Sequence, residues 1–286
     1  MTVATWLTDW LSLRKPELKP RTIESYADLI NRIIIPRIGE TALSALTPAD
    51  VRHLLATITA EGHGRTAESV YVLLCAAFKD FDGPSPMRTV RRPAHRQKSP
   101  TPWNDQEAAI YLAALADHPR GLGLALALLM GLRRGEVCGL RWGDIDFSAG
   151  VLHVCNQRIR LATGEIIDAP PKSETSIRDL PVPAKLLQQL RAARGLPAAY
   201  VCPLTPSGLD QAHRKLVARL GLPPLPFHGL RHTFATACIR HGGDMRALQS
   251  VLGHSSYAVT ANRYTHPDTL MLARAIDTGT AMCYTV

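Results

Sequence analysis

Apolar positions recur at helical spacing along the first eighty residues. "TWLTDWLSLR" puts Trp6, Leu7, Trp10, Leu11 and Leu13 on one broad stripe. "KPRTIESYADLINRIIIPRIG" predicts a second helix, with Thr22 as its cap, Glu24 in the first turn, and Pro36 and Gly39 as its end. "TPADVRHLLATITAEG" opens with Thr47 as cap, Pro48 at the first helical position and Asp50 three residues after the cap. "RTAESVYVLLCAAFKDF" makes the fourth helix. Four helices without a strand predict a small bundle over residues 1–81.

The pattern then stops. From Gly83 to Pro102 the chain carries five prolines, the cations Arg88, Arg91, Arg92, Arg96 and Lys98, and no acidic residue. Proline denies this stretch a helix, and the missing apolar alternation denies it a strand. Residues 82–103 are predicted to be an extended basic linker. A solvated spacer is the plain alternative, but a spacer has no need to exclude every carboxylate. The composition favours contact with a nucleic-acid backbone.

From Asn104 onward a second domain, 104–286, is predicted. "NDQEAAIYLAALAD" is a capped helix, and "GLGLALALLMGL" is a helix apolar on every side that turns at Gly131 into a short further helix. The period then shifts to two. "GVLHVCNQRIRL", "EIIDAP" and "IRDLPVP" read as three antiparallel strands, joined at Thr163-Gly164 and through "PKSETS". Helices return in "PAKLLQQLRAARG", "SGLDQAHRKLVARLG", "HGLRHTFATACIRHGG", "DMRALQSVLG", "SSYAVTANRYT" and "HPDTLMLARAID". The fold class is mainly α (α+β): a helical bundle followed by a helical domain with a small antiparallel sheet.

Charge narrows the class of partner. Lys and Arg outnumber Asp and Glu by 33 to 24 among 286 residues, a formal charge of +9. That excess favours a polyanion, because each phosphate neutralised releases counterions. The longest aliphatic run, Leu122 to Met130, is too short to cross a bilayer, so no membrane partner is expected. The N-terminus lacks a cleavable apolar stretch. The six cysteines form no C-x-x-C pair and read as reduced thiols of a cytoplasmic protein.

Two reaches hold the unusual chemistry: "HGLRH" at 228–232 and "LGHSSYAVTANRYTH" at 252–266. His228 and His232 lie four apart, the spacing of a zinc helix. That motif wants a Glu beside the first His, where Gly229 stands, and Arg231 would repel a dication. No metal and no cofactor are expected. "FHGLRHTFATACI" is otherwise strongly apolar, so Arg231 belongs to a buried helix and calls for an anionic partner. Phosphate suits the planar fork of a guanidinium. Arg133 follows an aliphatic helix directly, where a solvated charge is out of place, and Glu136 stands three residues on to orient it. Asp144 and Asp146 read as a strand entry loop, and His232, His241 and His266 as packing or surface residues.

These boxes carry a resemblance. "GLRRGEVCGLRWGDID" resembles the first arginine box of the tyrosine recombinase (phage integrase) family, "HGLRH" its His-x-x-Arg box, "LGHSSYAVTANRYTH" its last box, and "PKSETSIRDLPVP" its hairpin lysine region. The bundle and basic linker are similar to the family's core-binding part, so the resemblance spans nearly the whole chain. It implies a two-domain clamp around duplex DNA and a 3′-phosphotyrosine intermediate, with neither ATP nor metal. Residue by residue it implies Tyr264 as nucleophile, Arg133 and Arg231 as phosphate clamp, Lys172 as the acid for the leaving 5′-oxygen, His228 in proton transfer at the tyrosine, and His254 as a hydrogen-bond donor to phosphate. Glu136 and His232 would support these from behind. The chain departs from the pattern at Met130, where the family often has Thr. Lys185 is the nearest other lysine, and Tyr257 and Tyr284 are rival phenols.

The resemblance further implies DNA recombination sites as partners, a homotetramer on DNA, accessory DNA-bending or directionality proteins, and a cytoplasmic, nucleoid-associated location. The chain opens almost directly on the core-binding helices, so an added arm-binding domain is not expected. Phage or mobile-element integration is the first biological reading and a Xer-like resolvase the second. A type IB topoisomerase and an idle DNA-binding regulator are the competitors from other classes.

Overall fold

In the computed structural model of the chain, residues 1–94, 101–116, 118–161, 163–171, 176–253, 276–278 and 280 are described. The chain divides into two compact units, Met1–Ser99 and Pro100–Val286.

Among the described residues, the helices and turns of the first unit include no β-strand. α1 (Val3–Arg14) starts at Thr2, whose hydroxyl accepts from the Thr5 amide. α2 (Pro20–Leu29) begins at Pro20, with Lys19 rather than Thr22 as its cap. Proline's fixed φ suits a first helical turn, where its missing N–H costs nothing. Nor does Pro36 end the helix. The chain widens into a π turn over Ile30–Ile34 and resumes as α3 (Ile35–Ile38), a local loosening that absorbs the donor Pro36 lacks. α4 (Pro48–Ala60) carries the expected reciprocal cap between Thr47 and Asp50, and α5 (Gly64–Lys79) packs on it. Leu7, Trp10, Ile34, Val51, Leu55, Val70 and Leu74 form the core.

Met87 and Val90 belong to that same core. The Pro-rich stretch expected as a linker over 82–103 is therefore packed at its start, and its last residue, Trp103, is buried in the second unit. Burying a side chain of this size is worth about 1.5–3 kcal/mol, which is enough to recruit isolated apolar residues from an otherwise polar segment.

In the second unit α6 (Asp105–Ala113) is capped by Asn104, with Glu107 reciprocating. α7 (Gly121–Met130) is the central helix, buried along nearly its whole length, and ends at Gly131 in the left-handed region (φ 63°). A Cβ at Gly131 would stand 2.8 Å from both Leu252 and Phe234, so only glycine makes this turn. α8 (Arg134–Gly139) follows. The strands are β1 (Ile145–Asp146), β2 (Val151–Val154), β3 (Gln157–Arg160), β4 (Ile166–Ala169) and β5 (Arg178–Pro181).

Their pairing differs from the expected single meander. The reach read as one strand is two, β2 and β3, in different sheets. β5 pairs with β2, with Leu180 opposite Leu152, and β4 pairs only with β3. Burial explains the choice: Leu180 and Leu152 are fully buried and must share one core, whereas β4 buries no residue fully. α9 (Ala184–Ala192), α10 (Pro206–Arg219), α11 (Phe227–Arg240) and α12 (Met245–Leu252) complete the described elements. The helices expected after α12 lie outside the described residues, apart from a short piece at 276–278.

One core histidine makes a testable stability statement. His213 is fully buried: its Nδ1 accepts from the Tyr111 hydroxyl at 2.8 Å and its Nε2–H donates to the Leu225 carbonyl at 2.8 Å. Both ring nitrogens are used by the neutral form, and burial pushes the pKa below the ordinary histidine value. The folded state therefore refuses a proton that the unfolded chain accepts below about pH 6.5. This contribution is intact above that pH and is lost as pH falls, by up to about 1.4 kcal/mol per pH unit. Denaturant titrations from pH 7.5 to 5 should show a shallower loss for His213→Gln than for the wild type; parallel curves would refute it.

Candidate active site

Gly131 and Leu132 deliver Arg133 to the N-cap position of α8. Glu136, in the first turn of that helix, accepts from the Arg133 amide at 2.9 Å and from its Nη1 at 2.8 Å. Arg133 also donates through Nη2 to the Gly253 carbonyl at 2.8 Å. Arg231 enters from α11 and is only 3% exposed. Its Nη1 donates to the Gly131 carbonyl at 2.7 Å and its Nη2 to the Leu252 carbonyl. The two guanidinium groups thus converge on the end of α12, although nearly a hundred residues separate them in sequence.

A third arginine stands beside them, which the sequence reading missed. Arg178 on β5 donates Nη1 and Nη2 to the two oxygens of Glu136, at 3.2 and 3.0 Å. Its Nε donates to the Val251 carbonyl at 2.6 Å and its Nη1 also to the Ser176 carbonyl at 2.8 Å. A signal was present: Arg178 is two residues before the buried Leu180 and so shares its inward parity.

The electrostatics follow from the count of charges. Among the described residues, three guanidinium groups meet one carboxylate, Glu136. Burial alone would raise the Glu136 pKa, but the Arg178 charge and the hydrogen bonds from Arg178 and Arg133 hold it below the ordinary range. Burial, and then the like charge of Arg133, push Arg231 below its ordinary value. Its described partners are carbonyl groups, which supply dipoles and no countercharge. An anion brought to this place would relieve both effects. Each guanidinium has five N–H donors, and the described bonds of Arg231 use two of them.

His228 and His232 sit on exposed positions of α11, rings edge to face at 4.9 Å. Lys172, His254 and Tyr264 lie outside the described residues, as do Arg96 and Lys98. In the first unit Arg88, Arg91 and Arg92 are exposed. Arg92 is bound to Glu68 at 2.6 Å, while Arg91 flanks, with Arg52, an open groove of about 480 Å³ between α4 and residues 90–94.

Comparison with known proteins identifies the family. Residues 103–270 match the profile of the phage integrase family, and residues 2–57 that of a phage integrase N-terminal SAM-like domain. A tyrosine recombinase XerC of Methylobacterium sp. (strain 4-46) is 31% identical over 310 residues, covering 96% of this chain and 91% of that protein. A XerC-like tyrosine recombinase of Caldanaerobacter subterraneus is 30% identical over 207 residues; the match covers 62% of this chain and 53% of that relative. Among solved structures, the Tn1549 transposon integrase in complex with transposon right-end DNA superposes with a TM-score of 0.79 at 21% identity, covering 95% of this chain and 97% of that one. This last likeness concerns the fold.

Proposed function

Because the chain belongs to the phage integrase family, a class of enzymes that cleave and rejoin DNA strands, we propose that Arg133 and Arg231 hold the scissile phosphate of a duplex recombination site while Tyr264 attacks it. The observation that carries this reading is the convergence of both guanidinium groups, one of them buried, on the helix end that leads into His254 and Tyr264. The phenol oxygen bonds to phosphorus, giving a 3′-phosphotyrosine, and the bond from phosphorus to the 5′-oxygen breaks. Lys172 gives the leaving oxygen its proton. His228 serves proton transfer at the tyrosine and His254 hydrogen-bonds a phosphate oxygen. Negative charge grows on the non-bridging oxygens in the five-coordinate transition state, where preoriented guanidinium donors act most strongly. Attack by the freed 5′-hydroxyl of a second strand reverses the step and joins new partners, so no energy source is needed.

The partners in this reading are two DNA sites and a tetramer assembled on them, with accessory bending or directionality proteins where the site requires them. Integration and excision of a mobile element is the first biological assignment. The XerC name of the relatives favours a second, resolution of chromosome or plasmid multimers. Nicked suicide DNA incubated with the protein in EDTA tests the chemistry. A covalent adduct with recombinant product supports the reading. Adduct without strand exchange would point to a topoisomerase, and no adduct on any site to a DNA-binding regulator.

The basic segment of the first unit extends the DNA contact in this reading. Arg92 is committed to Glu68, so Arg91 and Arg88 are expected to carry most of its effect. Neutralising both should flatten the slope of log K against log salt by about 1–2. An unchanged slope would remove this segment from the DNA contact.

A further inference from the structure

Arg178 has no place in the chemistry above, yet it is among the most fully engaged side chains of the site. Its guanidinium is nearly buried, with the carboxylate of Glu136 equally so. Four of its five N–H donors are committed to Glu136, Val251 and Ser176. It therefore has little left to offer a phosphate. What it touches is telling. Arg178, Arg231 and Arg133 donate in turn to the carbonyls of Val251, Leu252 and Gly253, three consecutive residues at the end of α12. Carbonyls at a helix C-terminus carry partial negative charge and favour cations. Arg178 comes from a strand paired in register with β2, Val154 facing Arg178, so a sheet ladder holds its backbone.

The second consequence is electrostatic. Among the described residues Glu136 has two ion-pair partners, Arg133 and Arg178. Without Arg178, Arg133 alone of these two would face the buried carboxylate. The charge of Arg133, already 2.8 Å from a Glu136 oxygen, would then be spent inside the protein.

We propose that Arg178 is a positioning residue for strand cleavage: it neutralises Glu136 and anchors the end of α12, leaving the guanidinium of Arg133 fixed in place with its charge available to a phosphate. Lysine at this position keeps the charge but cannot bridge both carboxylate oxygens and the Val251 carbonyl at once.

This inference rests on the reading that the site cleaves DNA, and the test separates the two. Single-turnover adduct formation on nicked suicide DNA is measured at saturating protein for the full-length wild type, Arg178→Lys, Arg178→Gln, Arg133→Lys and the Arg133→Lys/Arg178→Lys double variant. The folded fraction is followed by circular dichroism and the Kd by gel shift. Arg178→Lys should slow cleavage per folded molecule by about 50-fold or more with Kd within about threefold, and the double variant should be no more than about threefold slower than Arg133→Lys, because coupled residues do not add. A loss of cleavage that merely tracks the folded fraction in both Arg178 variants overturns the proposal. So does a double variant in which the two losses multiply. Wild-type protein that captures no DNA would overturn the functional reading itself.

Discussion

Tyr264→Phe is expected to abolish covalent capture of nicked DNA while leaving DNA affinity within about threefold of the wild type. The substitution removes one oxygen and little else, and no nucleophile remains at this position. A free phenol titrates near 10 and is a poor nucleophile at neutral pH unless cations and a base lie close. The three arginines meet at the last carbonyls of α12, the helix that directly precedes this segment in the chain. The rate of adduct formation should fall on the order of 10⁴-fold or more, beyond the reach of most gel assays. Tyr257 and Tyr284 are the other phenols in the same part of the sequence. Phenylalanine at either should leave the adduct intact. An adduct that persists in Tyr264→Phe, or disappears in one of the other two, would transfer the nucleophile's role elsewhere.

Arg231→Lys should separate binding from chemistry. An ammonium group keeps the charge that attracts a phosphate, so the Kd should change by less than about fivefold. It cannot hold two oxygens in one plane, and the loss of a preoriented transition-state contact costs about 10²–10³-fold in rate. The structure adds a stability effect to this expectation. Arg231 also satisfies the carbonyls of Gly131 and Leu252, and an ammonium on a shorter, unforked chain leaves at least one without its partner. A buried polar group in that state costs about 1–3 kcal/mol. The melting temperature should therefore fall by a few degrees, about 2–4 °C per kcal/mol for a unit of this size. Cleavage measured well below that temperature isolates the chemical loss. Equal losses in binding and cleavage would mean that Arg231 is an ordinary DNA contact.

Much of the molecule could be read locally, where the physics is local. Thr47 with Asp50 and Asn104 with Glu107 announce their helix starts by side chains that satisfy orphan amides within one turn. An aliphatic run with no polar face can only be a buried helix, as α7 is. Arg133 and Arg231 stood out because a charge in an apolar stretch needs a reason, and both reach the same helix end. The misreadings share a different cause. Whether β5 joins β2 or β4 depends on which strand must bury a residue opposite Leu152, a matter settled across thirty residues. Met87 and Val90 do lie outside any helix or strand, but nothing nearby in sequence reveals the vacancy in the core that they fill.

Periodicity, capping and the placing of charges among apolar residues determined most of the described helices and two of the three arginines, because each of those depends on neighbours within a turn or two. Tertiary structure alone decided the strand pairing, the place of Arg178, and the meeting of three guanidinium groups at the last carbonyls of α12. Those outcomes turn on which distant surfaces exclude water together and on how a buried carboxylate finds enough counter-charge, and no short stretch of sequence carries that information.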